Sequence, residues 1–177
     1  MTAALDIKQA HIVSEWAHDR PLISCRFEPQ GRYVFAGAED NTVQRWALAD
    51  GVKTPLVGHE SWVKAIAFSK DGETTITGGS EGRLIWWPTA AEQPAEIRRI
   101  DAHQGWIRSL SVSPDGEQLL SSGEDGVIHL WDIERAELMR TLRIDRPYER
   151  MDIRGMAGIS ETQRAALIAL GAIERSD

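Results

Sequence analysis

The side chains of this chain that could do chemistry lie in segments that begin with a histidine. From His103 onward the order is histidine, Ser121 and Asp125, which is the composition of the Ser-His-Asp triad that transfers acyl groups. A phosphate-binding loop is not predicted, because residues 78–80, Gly-Gly-Ser, lack the lysine and the following helix that such a loop requires. Whether Ser121 can attack a substrate depends on the elements that position it.

Metal and cofactor chemistry has little support in the sequence. His11 and His129 have no partner at the spacing of metal ligands. The lone Cys25 can neither form a disulfide within the chain nor complete a thiolate metal site, and this predicts a reducing compartment. We therefore predict no metal site and no cofactor.

The chain aligns with itself three times, without gaps, in segments that run from a histidine to a tryptophan. These segments are residues 18–46, 59–87 and 103–131. Tryptophan is also the commonest aromatic residue, with 7 copies against 3 Phe and 2 Tyr, as expected when one unit containing tryptophan is repeated.

Each segment predicts a set of antiparallel strands. Residues 63–68 are dense in apolar side chains with the alternation of a strand, and the turn at 69–72 ends in a glycine that suits a left-handed φ. Equivalent turns stand at 28–31 and 113–116, second strands at 33–36, 74–77 and 118–121, and weaker fourth strands at 11–16, 53–57, 96–100 and 137–141. Four antiparallel strands about every 40 residues are typical of a propeller blade.

These residues resemble the WD40 repeat family over roughly residues 15–143, and the third segment carries the full pattern from Ala102-His103 to Trp131-Asp132. The resemblance implies an all-β fold of three four-stranded antiparallel blades in an incomplete ring, to which a short C-terminal α-helix is added. The expected boundaries are an N-terminal segment at 1–10, blades at 18–57, 59–100 and 103–143 with an extra outer strand at 11–16, a linker at 144–159, and a helix and tail at 160–177.

The resemblance also implies a structural role for the residues that look catalytic. Members of the family have a hydrogen-bonded tetrad in each blade, and the matching residues are His18, Asp40 and Trp46; His59, Thr77, Glu81 and Trp87; and His103, Ser121, Asp125 and Trp131. Ala36 stands at the hydroxyl position of the first set, whose network should be weaker. A blade buries Ser121 beneath neighbouring strands, so we predict no catalytic residue and no enzyme.

The residues just after each histidine are the candidates for binding a partner. In a propeller they lie on the face where the inner strands begin, and they are Asp19 and Arg20, Glu60 and Trp62, and Gln104 and Trp106. An indole beside a carboxylate on one rim is the composition of an interface hot spot. The alternative is that both tryptophans cap the hydrophobic layer of the blade.

The tail predicts a helix after the repeats. Ser160-Glu161-Thr162-Gln163 has the spacing of a capping box, and the apolar stripe of Ala166, Leu167, Leu170 and Ile173 is expected to dock on the last blade. Residues 147–174 are similar to a tail that closes some bacterial WD-repeat proteins, including proteins attached to signalling NTPases.

Charge and hydropathy limit the partners and the location. With 27 acidic against 20 basic residues, the chain has no basic field for nucleic acid. The first residues form no signal peptide and the longest apolar stretch, 165–173, is too short to span a bilayer, which predicts a cytoplasmic protein away from membranes.

Three blades leave an open arc, because propellers close with about four to eight blades. The exposed faces must then be covered by a second copy of the chain, by the tail, or by further blades of a longer chain. The sequence favours a non-enzymatic scaffold or adaptor that binds protein or peptide on its rim. The alternatives are a sensor module of a bacterial signalling NTPase assembly, and a small-ligand binder or enzyme that uses the central channel.

Overall fold

The computed structural model describes residue 12 and residues 14–143 and 151–174. The predicted N-terminal segment at 1–10, His11, the first half of the predicted linker (144–150) and the last residues of the tail (175–177) lie outside the described residues. The strands are β1 (Leu22–Phe27), β2 (Tyr33–Ala38), β3 (Thr42–Ala47), β4 (Lys53–Val57), β5 (Val63–Phe68), β6 (Thr74–Gly79), β7 (Arg83–Pro88), β8 (Arg98–Asp101), β9 (Ile107–Val112), β10 (Gln118–Gly123), β11 (Val127–Asp132) and β12 (Glu137–Arg143), and the helix is α1 (Glu161–Ala169).

The strands form three antiparallel sheets of four, each made from consecutive strands. We call them blade A (β1 to β4), blade B (β5 to β8) and blade C (β9 to β12). This confirms the predicted fold of three four-stranded blades in an open ring with one short helix. One predicted element differs: residues 12 and 14–16 are not in a strand, so the outer strand expected at 11–16 is not found in its described part.

The turn between the first two strands of blades B and C owes its shape to glycine and aspartate. Gly72 and Gly116 have φ of 69° and 82°, the left-handed region that glycine enters without steric cost. In blade B, Asp71 Oδ1 accepts hydrogen bonds from Ser69 Oγ at 2.5 Å and from the Glu73 backbone N–H at 3.0 Å. These two hydrogen bonds hold the turn of blade B in its shape.

Two hydrophobic clusters join the blades. The cluster between A and B contains Phe35, Val43, Leu56, Val63, Ile66, Phe68, Ile85 and Trp87. The cluster between B and C contains Ala65, Ala67, Ile76, Leu84, Trp86, Ala102, Ile107, Leu110, Leu119, Trp131, Ile133 and Ala136. Blade B is therefore covered on both faces, whereas A and C are each covered on one.

A side chain one residue before the blade tryptophan crosses each junction. In blade B, the buried indole of Trp86 donates from Nε1 to the Ile133 carbonyl of blade C at 3.2 Å. At the same position in blade A, the buried Arg45 donates from Nη1 to the Thr89 carbonyl of blade B at 2.5 Å. In both junctions the accepting carbonyl lies two residues after the last tryptophan of the neighbouring blade, Trp131 or Trp87. The two junctions are therefore built alike.

The outward faces of the end blades expose apolar side chains. Leu120, Ile128 and Leu142 of blade C are 40%, 40% and 41% exposed, and Leu22 and Phe27 of blade A are 42% and 69% exposed. The arc is therefore open at both ends within the described residues.

The tail folds on itself. The capping box at Ser160 is present, with the Ser160 and Gln163 side chains each bonded to the other's backbone N–H. The chain reverses at Gly171, and the Ile153 N–H donates to the Ile173 carbonyl at 3.1 Å, which leaves Ile153 fully buried. Because the tail closes in this way and α1 buries none of its side chains, the expected docking of the apolar stripe on blade C is wrong.

Candidate functional site

In the histidine network of blade C, the His103 and Ser121 side chains are buried, whereas 16% of the Asp125 side chain is exposed. His103 Nδ1 lies 3.1 Å from both carboxylate oxygens of Asp125, and Nε2 lies 2.7 Å from Ser121 Oγ. Since a carboxylate only accepts, Nδ1 carries the proton and Nε2 accepts the serine hydroxyl. Ser121 Oγ in turn accepts the Trp131 Nε1–H at 2.9 Å. Ser121 has no exposed surface, so its hydroxyl serves the fold and cannot meet a substrate.

The surroundings of this network shift the pKa values of Asp125 and His129. Burial opposes ionisation of Asp125, but hydrogen bonds from the Gln104 backbone N–H and from His103 outweigh it and keep the pKa of Asp125 below its ordinary value. The His129 ring lies 4.6 Å from the His103 ring. Burial, and then the proximity of His103, lowers the pKa of His129. The network therefore favours the ionised carboxylate of Asp125.

Blade B has the same arrangement with a longer acid. His59 Nδ1 lies 2.5 Å from Glu81 Oε1, and Nε2 lies 2.7 Å from Thr77 Oγ1. Thr77 Oγ1 accepts the Trp87 Nε1–H at 2.8 Å. The extra methylene of glutamate is accommodated, and both ring nitrogens are satisfied.

Blade A has no hydroxyl at Ala36, and its histidine ring is turned so that Nε2, instead of Nδ1, faces the acid. His18 Nε2 lies 2.8 Å from Asp40 Oδ2, and Nδ1 accepts from Lys53 Nζ at 2.8 Å. Lys53 lies opposite Trp46 in the register of β3 and β4. Sequence reasoning missed Lys53, although its place across from the blade tryptophan was a usable signal.

We expect His103→Ala to destabilise the protein more than His18→Ala. The first leaves the buried Ser121 hydroxyl without an acceptor and removes a hydrogen bond from Asp125, whose side chain is 16% exposed, at a cost of about 1–3 kcal/mol in the free energy of unfolding. The second frees a more exposed carboxylate and Lys53, which water can solvate, so its cost should be about 1 kcal/mol or less. Urea unfolding of both variants measures the difference, and equal losses would contradict the assignment.

The two tryptophans of the rim come together. Trp62 and Trp106 are 42% and 37% exposed, so neither is a core residue. Lys64 Nζ lies 3.6 Å from the centroid of the Trp106 ring and 5.8 Å from that of Trp62. Arg108 approaches the Trp106 ring from a second direction, with Cζ 4.8 Å from its centroid. We call Trp62, Lys64, Trp106 and Arg108 the rim cluster.

Lys64 and Arg108 were missed by the sequence analysis. Each lies two residues after a rim tryptophan, and residues two apart in a strand point to the same side. Their equivalent positions in adjacent repeats were a signal that would have found them.

The other predicted partner-binding residues differ in availability. Glu60 is not beside Trp62 as a free carboxylate, because its Oε1 pairs with Arg83 Nη1 at 2.5 Å and Arg99 Nη1 at 3.5 Å. Gln104, Asp19 and Arg20 are exposed at the positions after the histidines. Gln104 holds Asp125 through its backbone N–H, which leaves its side chain at the surface.

Neither metal chemistry nor a membrane span is indicated by the described part of the chain. No group of three or more His, Cys, Asp or Glu side chains is placed there to bind a metal ion. None of its helices has the length and apolar character needed to cross a membrane.

The sequence profile of the WD40 family, described as WD domain, G-beta repeat, matches residues 10–47, 51–88 and 95–132. Ribosome assembly protein 4 of Chaetomium thermophilum is 36% identical over 74 residues, which are 38% of this chain and 14% of that protein. Small ribosomal subunit protein RACK1y of Oryza sativa subsp. japonica is 35% identical over 69 residues, which are 37% of this chain and 20% of that protein. The chain thus spans a fifth or less of the length of these relatives.

Among solved structures, the crystal structure of the RRP9 WD40 repeats superposes with a TM-score of 0.68 at 20% identity. The match covers 73% of this chain and 41% of that one. At this identity the likeness shows the fold alone, and it is the fold expected from the repeats.

Proposed function

We propose that this chain, which belongs to the WD40 repeat family, is a non-enzymatic scaffold or adaptor that binds protein or peptide through the rim cluster. The observation that carries the proposal is the pair of exposed indoles, Trp62 and Trp106, bridged by Lys64 across two adjacent blades. Large aromatic side chains that hold no place in the core are the residues that most often dominate protein interfaces.

Two further observations support binding rather than catalysis. The Ser121 hydroxyl, which the triad hypothesis needs as a nucleophile, is buried and already bonded to His103 and Trp131. The relatives named above are, by their names, a ribosome assembly factor and a protein of the small ribosomal subunit. Both names refer to the ribosome, which is a large assembly.

The net charge and the lone cysteine extend the proposal. A formal charge of -7 favours a protein partner over nucleic acid, and the exposed free thiol of Cys25 fits a reducing cytoplasm.

A second candidate is a sensor module of a bacterial signalling NTPase assembly. This candidate rests on the resemblance of residues 147–174 to the tails of such proteins, and residues 151–174 are held together by backbone hydrogen bonds of their own. An NTPase that co-purifies with the chain, and is lost when residues 151–177 are removed, would support this candidate over a general adaptor.

A partner captured by pull-down tests the rim. Trp62→Ala and Trp106→Ala should each weaken binding by about 2 kcal/mol or more, roughly 30-fold in Kd, because each removes a large contact from one patch. Met139→Ala is the matched control, since Met139 is 53% exposed on β12, away from the rim.

Circular dichroism and melting must show that each rim variant keeps its fold. If the partner binds the folded rim variants as tightly as the unsubstituted protein, it uses another face. If the rim variants unfold, the two indoles are core residues. Either result would overturn the proposal.

A further inference from the structure

We propose that the partner of the rim presents an acidic side chain, which is held among Arg26, Lys64 and Arg108 in a small cavity between the inner strands. This inference rests on the proposed function and gives its partner a chemical class, an acidic peptide segment. It starts from the inner strands β1, β5 and β9, which each contribute one of the three cations.

A small cavity lies between these strands. It has a volume of about 50 Å³ and is lined by Ser24, Arg26, Lys64, Ala65, Ile66, Arg108, Ser109 and Leu110. None of these lining residues is acidic. A carboxylate is about the size of group that such a cavity holds, and it would complement the charge of the walls.

A hydroxyl in the cavity wall lacks a partner. Ser24 Oγ is buried and has no hydrogen bond within the described part of the chain. A buried hydroxyl without a hydrogen-bond partner costs free energy, so the site favours a ligand atom that accepts a hydrogen bond from it. A carboxylate oxygen is such an atom.

The cations of the cavity are available. Within the described residues, Lys64 has no ion pair and is held against the Trp106 ring, while Arg26 bonds only to the Cys25 carbonyl at 3.4 Å. Arg108 pairs with Glu124 at 2.8 Å, but both side chains are about half exposed, so a ligand carboxylate can exchange with Glu124 at little cost.

The cluster gathers three cations in a molecule whose overall charge is acidic. The chain carries seven more acidic than basic residues, and some of its other arginines are paired, such as Arg32 with Glu28 and Arg83 with Asp101. Unpaired cations on the rim of an acidic protein indicate a local site for an anion rather than a general attraction.

A peptide fits this site better than a nucleic acid strand. The cavity admits one anionic group, and exposed acids at Glu124 and Glu60 would repel a continuous run of phosphates. A peptide can place one carboxylate in the cavity and lay apolar side chains on Trp62 and Trp106.

Fluorescence anisotropy with the full chain tests the inference. The probes are a labelled peptide with four glutamates spaced by glycine and serine, the same peptide with glutamine at each glutamate, and a labelled thymidine oligonucleotide. Lys64→Gln and Arg26→Gln remove a rim cation, and Arg140→Gln removes an exposed cation from β12 as the matched control. Far-ultraviolet circular dichroism checks the fold of each variant.

We expect the glutamate peptide to bind, the glutamine peptide to bind at least about tenfold more weakly, and Lys64→Gln or Arg26→Gln to cause a loss of similar size, since a hydrogen bond to a charged group is removed. Arg140→Gln should leave the affinity unchanged.

Equal binding of the two peptides, an equal loss in Arg140→Gln, or no binding of the glutamate peptide overturns the inference. Tighter binding of the oligonucleotide that is lost in Lys64→Gln also overturns it, in favour of nucleic acid. If a captured protein partner is lost on Trp62→Ala but retained by Lys64→Gln and Arg26→Gln, the proposed function stands and the acidic partner is wrong.

Discussion

Replacement of Trp87 by alanine is expected to lower the free energy of unfolding by about 3–5 kcal/mol, the cost of removing a large aromatic side chain from a core. Trp87 has no exposed surface, donates a hydrogen bond to Thr77 and packs in the cluster that joins blades A and B. Its ring also lies against Gly58, where an added Cβ would come 2.8 Å from Cη2 of the indole. The residue therefore holds together a blade and a junction at once.

Urea unfolding of Trp87→Ala and Trp62→Ala makes the comparison. Trp62→Ala removes the same side chain from a site that is 42% exposed, and we expect a loss below about 1 kcal/mol. If the two variants lose equal stability, the rim indole is a core residue and the division between structural and binding tryptophans is wrong.

Replacement of Leu84 by alanine is expected to cost about 2–5 kcal/mol, because Leu84 is fully buried between blades B and C. Ile128 occupies the same position in blade C and is 40% exposed on the open face. Ile128→Ala should then cost about 1 kcal/mol or less.

This pair also reports on what covers the open face of blade C. If a second copy of the chain packs there in solution, Ile128 becomes as buried as Leu84, and Ile128→Ala should cost as much and depend on protein concentration. Urea unfolding at two protein concentrations distinguishes the cases. A large and concentration-independent cost of Ile128→Ala would contradict the open face described above.

The fold could be predicted because its rules are local and repeated. A strand alternation such as that of 63–68, a turn ending in a residue such as Gly72, and a capping box at Ser160 each depend on a few neighbouring residues. Three copies of the same segment made the strand and turn signals agree.

The parts that could not be predicted depend on long side chains that meet across strands. Lys53 bonds to His18 in the blade where Ala36 supplies no hydroxyl, and Arg45 takes a place at the junction that tryptophan fills in the next blade. Glu60 was expected beside Trp62 and pairs with Arg83 instead. The length and flexibility of these side chains allow several partners, and local spacing does not choose among them.

The coverage of blade B on both faces has a consequence for how the arc opens. In a row of units that touch only their neighbours, an end unit can separate after losing one interface, whereas the middle unit must lose two. Opening fluctuations should therefore begin at blades A and C and reach blade B last, so that the backbone amides of β6 and β7 exchange their hydrogens more slowly than those of β2, β3, β10 and β11. The rim cluster spans the boundary between blades B and C. A partner that contacts both tryptophans would therefore stabilise the interface at which blade C separates from blade B.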